Sequence, residues 1–405
     1  MLTYQYAARN PQTGELIKSV VQADSEMAAA KLLKQQGLVA TNIAIERRGF
    51  SFGGRTRVKA KDRVLFSRQL STLINAGLPL LQALRSVASQ TTDKNLRIIL
   101  GQIIGDIEGG ATLANSMAKH PKVFNQVYIA LIAAGESSGT LDKALERLAV
   151  QQEKDADLNA KIKGAMIYPI VVMGVMIVVV GFMVVKVLPQ VKVMYTSMPG
   201  ANLPVVTRVL LAVSDFTIKY WWVEAVVLAI IGFLTTKWAR TGPGKEVIDK
   251  WKMHAWPVGG LFMKVYMARF TRTGETLVAS GVPLLQVLGI TSRAVSNIHI
   301  ERAIVRAADK VKTGKSLAES IANDTNFLPL VPNMIRIGEE SGSLEDMMAK
   351  VADYYEKEVD NEVKNISTII EPVMMIMLGI VAFVIVAAVL LPIYGLAGQT
   401  DGIGR

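Results

Sequence analysis

Polar and apolar positions follow three different rules along this chain. Over residues 1–48 they alternate. Leu2-Thr3-Tyr4-Gln5-Tyr6, a turn at Asn10-Pro11-Gln12-Thr13-Gly14 and the run Glu15 to Val21 predict a hairpin, Ser25 caps a helix over Glu26–Gln36, and Ile43-Ala44-Ile45 returns as a third strand, a small α+β unit. A basic Gly/Arg linker, 49–61, follows. From Asp62 the spacing turns helical: Phe66, Leu70, Leu73 and Ile74 share one face, and Gly77 is placed to end the helix. Pro79 opens the next, where its missing N–H costs nothing, and Leu80, Leu81, Leu84, Val87 and Ala88 stripe it. A third carries Leu96, Ile99, Leu100, Ile103, Ile104 and Ile107 and stops at Gly109-Gly110; with helices at 112–119, 125–134 and 140–163, residues 62–165 read as a six-helix bundle.

The third rule is an absence of charge. No charged residue lies between Lys163 and Lys186, and at 1.5 Å per residue such a run reaches about 33 Å, enough to cross a bilayer core. The expected spans are 166–188, 216–236 and 370–394. The middle one is the weakest, holding Lys219 and Glu224, with Trp221-Trp222 suited to an interfacial belt.

The helical pattern is written twice. Phe66-Ser67-Arg68 through Asn75-Ala76-Gly77-Leu78-Pro79-Leu80-Leu81-Gln82 returns 204 residues later as Phe270-Thr271-Arg272 through Ala279-Ser280-Gly281-Val282-Pro283-Leu284-Leu285-Gln286. After one deletion, Gly135-Glu136-Ser137-Ser138-Gly139 answers Gly338-Glu339-Glu340-Ser341-Gly342, Pro169 answers Pro372 and Leu188-Pro189 answers Leu391-Pro392, now 203 residues apart. Residues 237–369 are thus a second helical module with a basic lead-in, and Ser343 with Asp346 would cap its last helix. Two copies of one module must fold on the same side of a membrane, so a chain that leaves after the first copy must come back before the second. Segment 216–236 is the candidate for that return. Lys154, Lys161 and Lys163 precede the first span, and Lys237, Arg240, Lys245, Lys250 and Lys252 follow the second. Positive flanks favour the cytoplasm, which puts both modules there, with 189–215 as a periplasmic loop and 395–405 as a periplasmic tail.

Composition changes this picture little. An apolar share of 51% suits a multi-pass membrane protein. The first sixty residues hold no signal-peptide pattern, so the N-terminus is expected to stay in the cytoplasm. With no cysteine, thiol catalysis and disulfides are excluded, and His120, His254 and His299 lack the paired spacing of a metal site. The net charge of +11 draws on Arg47, Arg48, Arg55, Arg57, Lys59, Lys61 and Arg63. Without interleaved aromatics that cluster reads as a solvated linker beside an anionic leaflet, and nucleic acid is not an expected partner. Gly314-Lys315-Ser316 imitates the end of a phosphate loop, but Asp309 stands where its first glycine belongs and a helix replaces its strand. It reads as a turn and helix cap. No cofactor, no metal and no enzyme activity are expected. Glu136 and Glu339 sit in turns bracketed by glycine, where an acid would either meet the positive end of the next helix or contact a partner.

These duplicated Arg68/Arg272 stretches, the Gly-Glu-x-Ser-Gly turns and the Tyr168-Pro169 and Glu371-Pro372 entries into the membrane resemble the inner-membrane platform proteins of type IV pilus assembly and type II secretion, the F-protein/pilus C-protein family. The resemblance covers nearly the whole chain and departs where Thr273-Gly274 replaces Gln69-Leu70. It implies a non-enzymatic, homo-oligomeric platform that joins cytoplasmic hexameric ATPases to pilins or pseudopilins beside other inner-membrane assembly proteins. Arg68, Glu136, Arg272, Glu339 and Glu340 are the candidate partner contacts, and Gly77, Pro79, Gly139, Pro169, Gly281, Pro283, Gly342 and Pro372 the structural motif. A pseudo-symmetric transporter is the alternative, but its broken helices and mid-membrane polar groups are almost absent from these spans.

Overall fold

The computed structural model describes residues 2–9, 16–23, 39–45, 58–196, 205–256 and 258–400. Two units separate at Arg57/Val58. In the first, strands β1 (Leu2–Arg9), β2 (Leu16–Ala23) and β3 (Val39–Ile45) form an antiparallel sheet in the order β2-β1-β3. The hairpin register runs from Leu2 opposite Ala23 to Arg9 opposite Leu16, and the β1/β3 ladder shifts between Ala7 and Ala8. The third strand starts earlier than the Ile43-Ala44-Ile45 pattern announces. The expected turn at Asn10–Gly14, the helix Glu26–Gln36 and most of the linker lie outside the described residues.

The second unit is helical. Its first repeat comprises α1 (Ala60–Asn75), α2 (Leu80–Gln90), α3 (Lys94–Glu108), α4 (Leu113–Ala118), α5 (Gln126–Ser138) and α6 (Leu141–Phe182). Local chemistry sets the boundaries. The side chains of Asp93, Thr112 and Asn125 accept hydrogen bonds from Leu96, Asn115 and Tyr128 backbone N–H groups at 2.8, 3.2 and 2.9 Å. Gly77 and Gly139 take φ of +86° and +71° where helices end, a conformation that suits glycine. Phe66, Leu70, Leu84, Leu100, Phe124 and Tyr128 fill the core.

Helix α6 does not stop at the bilayer. It carries Pro169 inside it, so the proline expected to begin a new segment instead loses one hydrogen bond within a continuous 42-residue helix, about 63 Å long. A π-helical turn, Met183–Val187, follows. It contains Val185, whose carbonyl the Pro189 ring would otherwise strike, and the wider turn relieves that clash. Helices α7 (Leu188–Thr196) and α8 (Val205–Trp238) occupy much of the interval expected as a loop, and α8 bends at Tyr220 (φ −119°).

The second repeat opens with α9 (Gly242–His254) and continues as α10 (Gly259–Ala279), α11 (Leu284–Ala294), α12 (Ile298–Lys312), α13 (Leu317–Ile321), α14 (Leu330–Ser341) and the 57-residue α15 (Leu344–Thr400). Three stretches are long and apolar enough to cross a membrane: Leu141–Gln190, Arg208–Trp238 and Leu344–Val384. The chain is therefore a mainly helical protein with a repeated module and three candidate membrane helices.

The repeats pack head to tail. Helices α10 and α11 of the second copy lie on α5 and α6 of the first, while α1 and α2 have no comparable packing on α14 or α15. The two cores interlock across this seam: Leu277, Val282, Val287 and Ile290 join the first copy's core, and Leu158 joins the second's.

Candidate functional site

The five candidate contact residues divide sharply once placed. Arg68, on α1, forks onto α6: its Nε and one terminal nitrogen donate to Glu153 at 2.6 and 2.5 Å, and the other donates to Glu146 at 2.7 Å. The hydrogen bond from Arg68 holds the Glu153 carboxyl below its usual range, and Ser71, then Arg68, do the same for Glu146. Arg272 repeats the motif from α10, with Nε donating to Glu356 at 2.8 Å and a terminal nitrogen to Asp353. Burial opposes the Arg272 charge, but Glu356 and Asp353 outweigh it and raise its pKa.

Glu136 and Glu339 are internal caps. Glu136 accepts from the backbone N–H groups of Leu113 and Ala114 at 2.5 and 3.0 Å, and Glu339 from those of Leu317 and Ala318 at 2.6 and 2.9 Å. The sequence places these acids beside the helix that follows. The structure puts them at the N-terminus of a helix about six turns earlier, α4 or α13, where two orphan N–H groups and the helix dipole receive the carboxylate. Ser316 caps α13 as well, accepting from Glu319 N–H at 3.1 Å, which accounts for the Gly314-Lys315-Ser316 turn. Glu340, by contrast, is exposed. It borders a cavity of about 770 Å³ in the second repeat with Asn333, Arg336, Glu319 and Asp324.

Sequence reasoning missed the seam. Lys154 on α6 donates to Glu356 Oε2 at 2.8 Å, and Lys161 Nζ straddles both oxygens of Asp360 at 2.7 and 2.9 Å. Arg147 reaches Glu345 at 3.8 Å. Thr276 donates to Gln151, which is buried, and Arg269 to Asn159 at 2.8 Å. Between them Asp155 is desolvated, so burial pushes its carboxyl up, and burial does the same to Glu275 beside Arg272. Two of the lysines read as topology signals are thus also structural, although acidic neighbours count little in the positive-inside bias. The heptad spacing of Arg147, Lys154 and Lys161 was the available signal.

Within the membrane helices, Met173, Met176, Ile177, Val180 and Gly181 of α6, Thr217 of α8, and Met377, Ile380 and Val381 of α15 line an apolar groove of about 600 Å³. Of the structural-motif residues, Gly281 and Gly342 take φ of +78° and +70°. Pro79 and Pro283 are helix caps, one residue earlier than expected. Pro169 and Pro372 lie inside α6 and α15. Among the described residues no group of histidines and acids could hold a metal.

A family model described as type II secretion system (T2SS), protein F, matches residues 66–189 and again 270–392, and its N-terminal domain model matches residues 1–44. The chain is 38% identical to a type IV pilus assembly protein PilC of Thermus thermophilus, covering 98% of this chain and 99% of that one. It is 36% identical to the PilC of Pseudomonas aeruginosa over 90% and 97% of the two chains, and 35% identical to the type II secretion system protein F of the same organism over 98% and 99%. The double match falls on the two repeats whose arginine forks, capping glutamates and proline-bearing membrane helices coincide, and the chain belongs to the type II secretion system protein F family.

Proposed function

We propose that this protein is a non-enzymatic inner-membrane platform of a type IV pilus or type II secretion machine, joining cytoplasmic hexameric ATPases to pilins or pseudopilins in the bilayer. In this reading each repeat is a six-helix bundle on the cytoplasmic side, residues 1–48 form a small α+β unit there, and the C-terminus is periplasmic. The observation that carries it is continuity: α6 and α15 each run unbroken from a repeat into an apolar span. A protein without a nucleotide site transmits work done elsewhere, and a helix carries a push or rotation that a flexible linker would dissipate. Four of the five candidate contacts spend their charge inside the repeats, so the ATPase grips the exposed Glu340 and the neighbouring cavity. The apolar groove between the spans receives a pilin's own membrane helix.

A flexible Gly/Ser insertion after Lys163 abolishes pilus assembly or secretion while protein level and ATPase binding stay intact. Normal assembly with that insertion overturns mechanical coupling. A reporter active only outside the cytoplasm lights when fused at Gly200 and stays dark at Gly314; the reverse pattern overturns the topology.

A further inference from the structure

A head-to-tail contact between two repeats leaves one donor face and one acceptor face, and here, among the described residues, neither is covered by another repeat. The acceptor face is the α14/α15 surface of the second copy. It shows Ile337 and Tyr354, 46% and 49% exposed, at the positions of Ala134 and Gln151, which lie on the helices that α10 and α11 cover in the first copy. The donor face is the α1/α2 surface of the first copy. It shows Leu73, Ile74 and Leu78, each half-buried, at the positions of Leu277, Val278 and Val282 that enter the seam.

Charge makes the match specific. The three bases that bind across the seam, Arg147, Lys154 and Lys161, recur 203 residues later as Lys350, Lys357 and Lys364. All three are exposed and, among the described residues, form no ion pair; Lys357 sits at the rim of the small cavity between α6 and α15. The three acids they meet, Glu345, Glu356 and Asp360, have counterparts 203 residues earlier in Asp142, Glu153 and Asp157. Asp142 is exposed; Asp157 is exposed while pairing with Lys161 one turn on at 2.8 Å; and Glu153 is held by Arg68 as Glu356 is held by Arg272, an arrangement in which Glu356 still accepts Lys154. Among the described residues, no ion pair inside one chain requires the second copy to keep the three bases.

We propose that the second repeat of one chain receives the first repeat of another copy of this chain through the same contact that joins the repeats internally. Lys350, Lys357 and Lys364 then pair with Asp142, Glu153 and Asp157 of the neighbour, and Ile337 and Tyr354 cover its Leu73, Ile74 and Leu78. The contact is heterologous, so it builds a ring or an open array instead of a two-fold dimer. The ion pairs advance in the same direction along α6 and α15, so these helices are parallel and both enter the membrane in the same sense. Each further step keeps every span crossing the bilayer, which a ring about the membrane normal satisfies.

The chain's lack of cysteine permits a direct test in native membranes. Full-length chains carrying Asp142→Cys are co-expressed with differently tagged chains carrying Lys350→Cys and treated with a short bismaleimide. The expected product is a crosslink between the two kinds of chain and at least tenfold less within either kind. Only monomer, or same-to-same crosslinks as abundant as mixed ones, overturns the proposal. Adding Lys364→Asp to the acceptor chain lowers the mixed crosslink at least fivefold, and Asp157→Lys on the donor chain restores it. Loss without restoration while an internal Lys161→Cys/Asp360→Cys pair still crosslinks also overturns it.

Discussion

The two copies of the repeat carry the same arginine in different surroundings. The side chain of Arg68 is 33% exposed and its acids Glu146 and Glu153 are 43% and 42% exposed, whereas Arg272 is 13% exposed and its acids Glu356 and Asp353 are 10% and 58% exposed. Duplication preserved the fork, and the neighbouring copy changed its energetics, because only the second is roofed by the seam. Exposed forks contribute little, since solvent screens the charges and ordering two long side chains costs entropy. A buried fork is different: removing one partner strands a desolvated charge.

The largest effect therefore falls on the second copy. Arg272→Ala is expected to cost about 3–5 kcal/mol, because it leaves Glu356 buried with only Lys154. Hydrogen exchange on the full chain in detergent checks it: protection of α10 and α15 collapses while α1 to α3 stay protected. Unchanged protection of α10 would place the stabilisation of this seam in its apolar contacts instead.

Next comes the apolar pair at matched positions. Leu277 is completely buried, and its truncation to alanine is expected to cost about 2–5 kcal/mol. Leu73, its counterpart, is only half-buried, so the full-burial cost is not expected there and about 1 kcal/mol is. Thermal unfolding of both variants in one detergent orders them; equal losses would mean that Leu73 is covered as Leu277 is, which the chain-to-chain contact predicts for assembled protein and not for monomer.

The repeat, the short helices of the first copy and the apolar runs were legible in the sequence because each is a local or periodic property: a glycine placed to end a helix, a proline at its start, a charge-free run. The seam was not, since it depends on which of two matched surfaces meets the other. The substitution at Gly274 illustrates why. The first copy has Leu70 there and Leu145 on α6; the second has Gly274 and Met348 on α15. A Cβ on Gly274 would lie 2.9 Å from the Met348 sulfur, so the methionine occupies the room that the leucine fills in the first copy. Volume moved across a helix pair, and a linear comparison records that as a mismatch. Glu136 and Glu339 were recognised as turn acids but given the wrong helix, because the N-terminus they cap lies more than twenty residues upstream.

Those caps supply a smaller effect, expected to be equal in both copies. Glu136→Gln and Glu339→Gln keep the shape and lose the charge, at about 1 kcal/mol each. Chemical denaturation of the two single variants checks the equality. If Glu339→Gln were much the costlier, the exposed cavity beside it would depend on that carboxylate.

The smallest expected effect separates the copies by the sign of their pH response. Glu146 and Glu153 have folded-state pKa values below those of the unfolded chain, so the stability they add is present above the unfolded value, about 4.3, and is lost as pH falls through the folded one. Being exposed, they move stability by well under 1 kcal/mol each. Asp155 and Glu275 are shifted upward, so their contribution is fully present below the unfolded carboxylate pKa and is lost as pH rises through the folded one. Lowering pH toward the unfolded carboxylate value thus leaves the Arg68 fork unchanged and tightens the seam, and acidification below it weakens the fork. Exchange protection followed across this range should rise in α10 while α1 stays flat. Asp155→Asn with Glu275→Gln should flatten the α10 response, and a response surviving both substitutions would assign it to other acids of the seam.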